Sequence, residues 1–112
     1  MGCYPTTKNS VLKKIDMKMI WKFSTIENGF ADRFSIFMPK GAEILTVQTD
    51  EKNNHPSIWV LVDPDQEKEE RFFELFGTGH QIHDDMGVER KYIGTYQYQN
   101  GDFVGHIFER IN

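Results

Sequence analysis

The amino-acid sequence predicts a mainly β fold, a single-domain antiparallel β-sandwich or partly open barrel of about seven strands with little helix. Beyond residue 17 the chain divides into short runs rich in β-branched and aromatic residues, separated by glycine, proline, asparagine and aspartate. The length of 112 residues is typical of one domain, and nine Phe, four Tyr and two Trp supply apolar area for one core. A single antiparallel sheet would leave much of this area in water, which favours two layers.

Residues 1–16 are a polar leader, and residues 17–112 are the predicted β domain. The leader lacks sustained hydrophobic periodicity. We therefore expect it to be disordered or to form a short helix capped by Ser10. Met17 begins a new strand-like pattern and is an alternative initiator.

Seven runs predict the strands. These runs are residues 18–25, 32–38, 43–49, 57–62, 71–76, 91–99 and 102–110. The first two runs predict a hairpin through Glu27-Asn28-Gly29, and the last two predict one through Asn100-Gly101, which favours a type I′ turn. The fourth run is apolar at nearly every position, as is typical of a central strand covered on both faces.

Turn-forming residues separate the middle strands. Pro39-Lys40-Gly41 ends the second strand, and Asp63-Pro64-Asp65 predicts a turn after the fourth. Residues 66–70 are compatible with a short helical turn. Residues 77–90 form the longest irregular segment, and long loops often carry function.

Charge and composition exclude several classes of protein. The formal net charge of −4 disfavours binding to nucleic acid. No apolar run approaches the roughly 20 residues that span a bilayer, and no secretory signal is present, so we expect a cytoplasmic protein that does not bind membranes. Cys3 is the only cysteine, which excludes an intrachain disulfide and predicts an inert thiol.

Gly77-Thr78-Gly79-His80 is the most suggestive short motif. Two glycines around a hydroxyl allow backbone N–H groups to converge on a phosphate or carboxylate, with the histidine as a further donor. The motif lacks the lysine of a P-loop and the third glycine of a dinucleotide fingerprint. The alternative interpretation is an ordinary turn that ends a strand.

His80, His83, Asp84 and Asp85 lie within six residues, and His106 could approach them from the last strand. Their spacing matches no established metal motif, so we expect a solvated polar loop with no metal and no cofactor. No Gly-x-Ser-x-Gly motif is present, which favours a non-enzymatic protein. Acid–base residues that converge from distant strands remain the alternative.

Tyr92, Tyr96 and Tyr98 alternate along one predicted strand and are expected to form an exposed stripe on one face. Such a stripe, beside the glycine-rich motif, could stack a planar base. Trp21 and Trp59 are assigned to the core. The candidate ligand-binding residues are therefore Gly77, Thr78, Gly79, His80, Tyr92, Tyr96 and Tyr98.

Five segments together resemble a family of small uncharacterised proteins of bacteriophages and prophage regions. These segments are Lys18-Met19-Ile20-Trp21-Lys22-Phe23, Met38-Pro39-Lys40-Gly41-Ala42-Glu43-Ile44-Leu45-Thr46-Val47-Gln48, Ile58-Trp59-Val60-Leu61-Val62-Asp63-Pro64, Phe76-Gly77-Thr78-Gly79-His80 and Tyr92-Ile93-Gly94-Thr95-Tyr96-Gln97. The resemblance covers most of the predicted β domain and implies no assigned activity. It does imply an accessory phage protein, either a virion or assembly component or a factor that acts on the host, such as an inhibitor of antiviral defence.

The leading functional hypothesis is a phage protein that binds a small anionic, nucleotide-like ligand in the host cytoplasm and sequesters a defence signal. The alternative is a protein-binding module, such as an inhibitor of a host defence enzyme or a virion accessory protein. This module would dock through a sheet edge or through residues 72–76. A homo-oligomer is expected, because small β-domains often complete a pocket across a symmetric dimer.

Overall fold

The computed structural model describes residues 17–25, 32–50, 52, 55–83, 87–98 and 101–111. Within these residues, seven antiparallel strands form two sheets that do not close into a barrel, and no helix is present. The strands are β1 (Met19–Ser24), β2 (Arg33–Pro39), β3 (Glu43–Asp50), β4 (His55–Val62), β5 (Lys68–Gly77), β6 (Arg90–Tyr98) and β7 (Phe103–Arg110). The predicted fold class is confirmed. The predicted leader, residues 1–16, lies outside the described residues.

One sheet has the strand order β1-β4-β3, and the other has the order β2-β5-β7-β6. The predicted central position of β4 is therefore correct. Ile58, Val60 and Val62 of this strand are fully buried in the core, whereas Trp59 and Leu61 lie on its half-buried outer face. This alternation is the strand period of two, with both faces rich in apolar residues.

The predicted hairpin between the first two strands is wrong, because β1 and β2 lie in different sheets. β1 pairs with β4, and β2 pairs with β5 with Phe34 opposite Phe73. These two rings stack with centroids 5.3 Å apart. An alternating strand can bury its apolar face in a hairpin or across the core from another sheet, so alternation alone does not choose its partner. The predicted turn Glu27-Asn28-Gly29 lies outside the described residues.

The predicted hairpin between the last two strands is present. β6 pairs with β7, and Tyr98 lies opposite Phe103, so the connection is centred on residues 100 and 101. Gly101 has a φ of 95°, in agreement with the positive φ expected there. Asn100, the other residue of the predicted type I′ turn, lies outside the described residues.

The turn after β4 is closed by a hydrogen bond from the Gln66 N–H to the Asp63 carbonyl, 3.1 Å long. The helical turn suggested for residues 66–70 is absent. Instead β5 already begins at Lys68, which pairs with Pro39, and Glu70 lies opposite Phe37. Charged residues are compatible with this part of the strand because one face of the sheet is in contact with water.

The core lies between the two sheets and is formed by residues from both. Its buried members are Ile36, Met38, Ala42, Val47, Ile58, Val60, Val62, Phe73, Tyr96 and Ile107. The sheets approach each other along β3 and β6, where Val47 occupies the space that a Cβ at Gly94 would need. The other face of the four-stranded sheet, its outer face, does not belong to this core and carries the candidate site. Among the described residues, no helix is long and apolar enough to cross a membrane.

Candidate functional site

A chain of four polar side chains crosses the outer face of the four-stranded sheet. Thr78 Oγ1 lies 2.7 Å from His106 Nε2, and His106 Nδ1 lies 2.9 Å from Thr95 Oγ1. Thr95 Oγ1 in turn lies 2.5 Å from the Tyr92 hydroxyl. The β6–β7 register places Thr95 directly opposite His106, and the turn that follows β5 adds Thr78. Two of the predicted site residues, Thr78 and Tyr92, are therefore joined through two residues that sequence reasoning did not assign to the site.

The glycine-rich motif is the turn that ends β5, and most of its backbone donors are already used. The Gly77 N–H donates to His80 Nδ1 at 3.1 Å, and the His80 N–H donates to the Gly77 carbonyl at 3.0 Å. The Thr78 N–H donates to the Val104 carbonyl at 3.3 Å. The predicted cradle of outward-pointing N–H groups is therefore not formed. The geometry corresponds to the alternative interpretation, an ordinary strand-ending turn.

The predicted stripe of three tyrosines on one face is also wrong. The register between β6 and β7 shifts between Tyr92 and Gly94, so the strand carries a bulge. A one-residue shift moves every later side chain to the other face of the sheet. Tyr92 lies exposed on the outer face against Phe108, with ring centroids 5.4 Å apart, whereas Tyr96 is buried in the core and Tyr98 packs against it.

A cavity of about 370 Å³ lies on this face beside the glycine-rich turn. Strands β2, β5, β6 and β7 and the segment after β5 contribute its walls. The lining residues are Asp32, Arg33, Glu74, Leu75, Phe76, His80, Gln81, His83, Val88, Arg90 and Arg110. An adjoining cavity of about 400 Å³ shares Arg33, Glu74 and Arg110 and is otherwise lined mainly by phenylalanines, Phe34, Phe72 and Phe73. His80 is the one predicted site residue that lines the first cavity.

Glu74 organises the charges of this cavity. Its carboxylate is buried, and it accepts from Arg90 Nε at 2.5 Å and lies 3.5 Å from Arg110 Nη1. Arg90 also donates to the His83 carbonyl at 3.1 Å, which ties the segment after β5 to the sheet. Arg90 and Arg110 lie directly opposite each other on β6 and β7, an arrangement that would be repulsive without a shared carboxylate.

Arg33 differs from the other two arginines. It lies opposite Glu74 in the β2–β5 register and lines both cavities. Among the residues that the structure describes, its side chain has no hydrogen-bond or ion-pair partner. Among the described residues that line the two cavities, the Arg33 guanidinium is therefore the cation available to an external anion.

Three side chains with displaced pKa values lie away from the cavity. The hydrogen bond from Lys22 lowers the pKa of Asp50, and the hydrogen bond to Glu109 raises the pKa of Arg71. Burial raises the pKa of Tyr96 to about 12. These shifts belong to structural ion pairs and to the core.

The histidines of the predicted polar cluster have separate environments. His80 accepts from a backbone N–H, His83 lines the cavity, and His106 bonds two threonines. Over the described part of the chain, no three His, Cys, Asp or Glu side chains converge on a common point. Asp84 and Asp85 lie outside it. The arrangement can thus bind a ligand by charge, hydrogen bonding and aromatic contact.

Comparison with known proteins gives one match. The family model described as Domain of unknown function (DUF7352) covers residues 17–112. No curated protein and no solved structure matches the chain.

Proposed function

The chain belongs to the DUF7352 family, and we propose that it is a non-enzymatic protein that binds a small anionic, nucleotide-like ligand in the arginine-lined cavity. The observation that carries this proposal is the position of Arg33 in the lining of both cavities, with no side-chain partner among the described residues. Hydrogen bonds from a guanidinium to a phosphate or carboxylate are frequently bidentate and are stronger than neutral ones.

Local charge supports an anionic ligand. The cavity contains three arginines (Arg33, Arg90 and Arg110) and two carboxylates (Asp32 and Glu74), which gives a formal charge of +1. The whole chain has a formal charge of −4. A positive concave site in an acidic protein concentrates anions at that site rather than over the whole surface.

The adjoining cavity supports a planar group on the same ligand. Phe72 is 52% exposed and lines this cavity beside Arg33. An aromatic ring in this position can stack a nucleobase, which contributes roughly 1–3 kcal/mol in proteins that bind bases. Each cavity has the volume of an ordinary small-molecule site. A nucleotide could thus place its phosphate at Arg33 and its base on Phe72.

The biological role rests on the resemblance to phage and prophage proteins. A phage protein with this site would sequester a nucleotide-derived defence signal in the host cytoplasm. Thr78, His80 and Tyr92 would add hydrogen bonds from the same face of the sheet.

The test is isothermal titration of the full chain with adenosine monophosphate, a cyclic dinucleotide and inorganic phosphate. We expect Arg33→Ala to weaken nucleotide binding about 10- to 100-fold, the effect of losing hydrogen bonds to a charged group. Lys40→Ala is the matched control, because it removes one positive charge from an exposed turn outside the cavity. Equal affinity of the two variants, or no binding by the wild type, would contradict the proposal.

A second candidate function is docking of a host protein on the same sheet. Phe37 and Phe72 are both exposed large apolar side chains on β2 and β5, and Phe72 belongs to the predicted docking segment. Native mass spectrometry of the protein purified from phage-infected cells separates the two functions. A bound mass of a few hundred daltons would favour the ligand, and a bound polypeptide would favour docking.

A further inference from the structure

Among the described residues, residues 19–23 of the edge strand β1 are open to pairing in a way that the other edge strands are not. Within the described residues β1 pairs with β4 alone, through six consecutive residue pairs without a register shift. By contrast, β3 and β6 each carry a bulge and lie against each other. β2 ends in Pro39, which has no N–H to donate. Bulges and prolines are devices by which sheets avoid pairing at their edges, and β1 has neither.

Side chains on both faces of β1 are incompletely covered. Met19 is 49% exposed and Ile20 is 59% exposed, although neighbouring residues of a strand point to opposite faces. On the other unpacked edge, β2, the exposed Phe37 lies between the buried Ile36 and Met38. A strand added beside β1 would therefore bury apolar side chains on both faces of the sheet.

We propose that two copies of this chain associate through antiparallel pairing of β1 with β1 of the second copy. The result is a continuous six-stranded sheet in the order β3-β4-β1-β1-β4-β3. A second copy is the partner that fits, because a two-fold axis perpendicular to the sheet makes the two edges self-complementary. Each strand then offers the other the same N–H and C=O groups.

Like-charge repulsion disfavours two registers of this pairing. Residues opposite each other must share a face of the sheet, so the two-fold axis passes beside one residue of β1. An axis at Lys22 places two Lys22 side chains opposite each other, and an axis at Ile20 places Lys18 opposite Lys22. Like charges in these positions are destabilising. An axis at Trp21 places Lys22 opposite Ile20 and leaves the Lys22–Asp50 ion pair, 2.7 Å long, in place.

The first test is the oligomeric state of the full chain by size-exclusion chromatography with light scattering. We expect the wild type to be a dimer at high protein concentration and Ile20→Lys to be a monomer at the same concentration. Leu45→Lys is the matched control, because Leu45 is 45% exposed in the same sheet but lies on β3. This control should remain a dimer, and Phe37→Lys on β2 should also remain a dimer.

Hydrogen exchange of the wild type gives a second measurement that needs no variant. Pairing predicts that the amides of residues 19–23 exchange more slowly as the protein concentration rises, while those of β2 do not change. A wild type that is monomeric at all concentrations would overturn the proposal. So would dissociation by Leu45→Lys or Phe37→Lys, or exchange in β1 that does not depend on concentration.

Discussion

Tyr92 and Tyr96 lie four residues apart on β6, and the backbone between them places the two rings in opposite environments. The hydroxyl of Tyr92 is exposed and bonds Thr95, whereas the ring of Tyr96 is 4% exposed. Tyr96 lies over Gly105 of β7, where a Cβ would come within 2.6 Å of Tyr96 Cζ. Any side chain at Gly105 would displace this ring, so the glycine is needed for the packing of Tyr96.

The ionisation of Tyr96 makes a prediction about alkaline pH. Burial raises the pKa of Tyr96 to about 12, from the ordinary tyrosine value of 10.0. The unfolded chain therefore loses this proton first. The contribution of the protonated Tyr96 to the stability of the folded state is complete below pH 10 and is lost as the pH rises to about 12. The free energy of unfolding of the wild type should therefore fall over this pH range. In Tyr96→Phe we expect this fall to be smaller by up to about 2 kcal/mol, because phenylalanine has no proton to lose.

Urea unfolding of Tyr96→Phe and wild type between pH 9 and pH 12 would measure this difference. Tyr92→Phe is the matched control, since it removes a hydroxyl from an exposed ring on the same strand. The assignment fails if all three proteins lose stability in parallel.

At the scale of strands, alternation predicted where the strands lie but not how all of them pair. The predicted runs 32–38 and 71–76 overlap β2 and β5, yet their pairing depends on contacts such as Phe34 on Phe73, between residues 39 positions apart. No local pattern encodes such a contact. The last hairpin was predictable because Asn100-Gly101 encodes the pairing within the turn itself.

The same difference between local patterns and long-range pairing explains which residues of the candidate site could be predicted from the sequence. His80 was predicted because a glycine-rich turn is visible in the sequence. Arg90 and Arg110 were missed because only the β6–β7 register brings them together, and Glu74 joins them from a third strand. The misassigned tyrosine stripe has a related cause. A bulge changes which side chains of a strand face the core, and no distinctive residue pattern marks it in the sequence.

The β6–β7 connection makes a prediction at the element scale. Gly101 has a φ of 95°, and among the described residues a Cβ there would meet only Gln97 Oε1, at 3.4 Å. The cost of a substitution is therefore conformational rather than steric. We expect Gly101→Val to lower the free energy of unfolding by about 1–2 kcal/mol, measured by urea unfolding.

Gly101→Asn is the matched substitution, because asparagine tolerates a positive φ better than β-branched residues do. It should cost clearly less than Gly101→Val. Equal losses for both substitutions would mean that the backbone conformation of Gly101 is not what the turn requires.

At the scale of the whole molecule, the side chain of Arg71 connects the two sheets. The Arg71 guanidinium on β5 donates to Glu109 of β7 through Nε at 2.6 Å and Nη2 at 2.9 Å. Its Nη1 donates to the Ala42 carbonyl at 2.7 Å, in the connection from β2 to β3. One side chain therefore joins two strands of the four-stranded sheet to the chain segment that enters the three-stranded sheet.

Because Arg71 and the common core join the two sheets, we expect them to unfold as one unit. Trp21 and Trp59, the two tryptophans of the chain, both lie in the three-stranded sheet, on β1 and β4. Tryptophan fluorescence therefore reports on that sheet, whereas circular dichroism reports on both. Ile107→Val removes one methylene from the core on β7, in the other sheet, and should cost about 0.5–1.5 kcal/mol.

If the sheets are cooperative, Ile107→Val shifts the unfolding midpoint by the same amount in fluorescence and in circular dichroism. Ile111→Val is the matched control, because it makes the same chemical change at an exposed residue beyond β7 and should leave the midpoint nearly unchanged. A shift that is seen by circular dichroism but not by fluorescence would mean that the four-stranded sheet unfolds independently. In that case the cavity on its outer face could open without loss of the three-stranded sheet, and the affinity of the site would depend on the stability of one sheet alone.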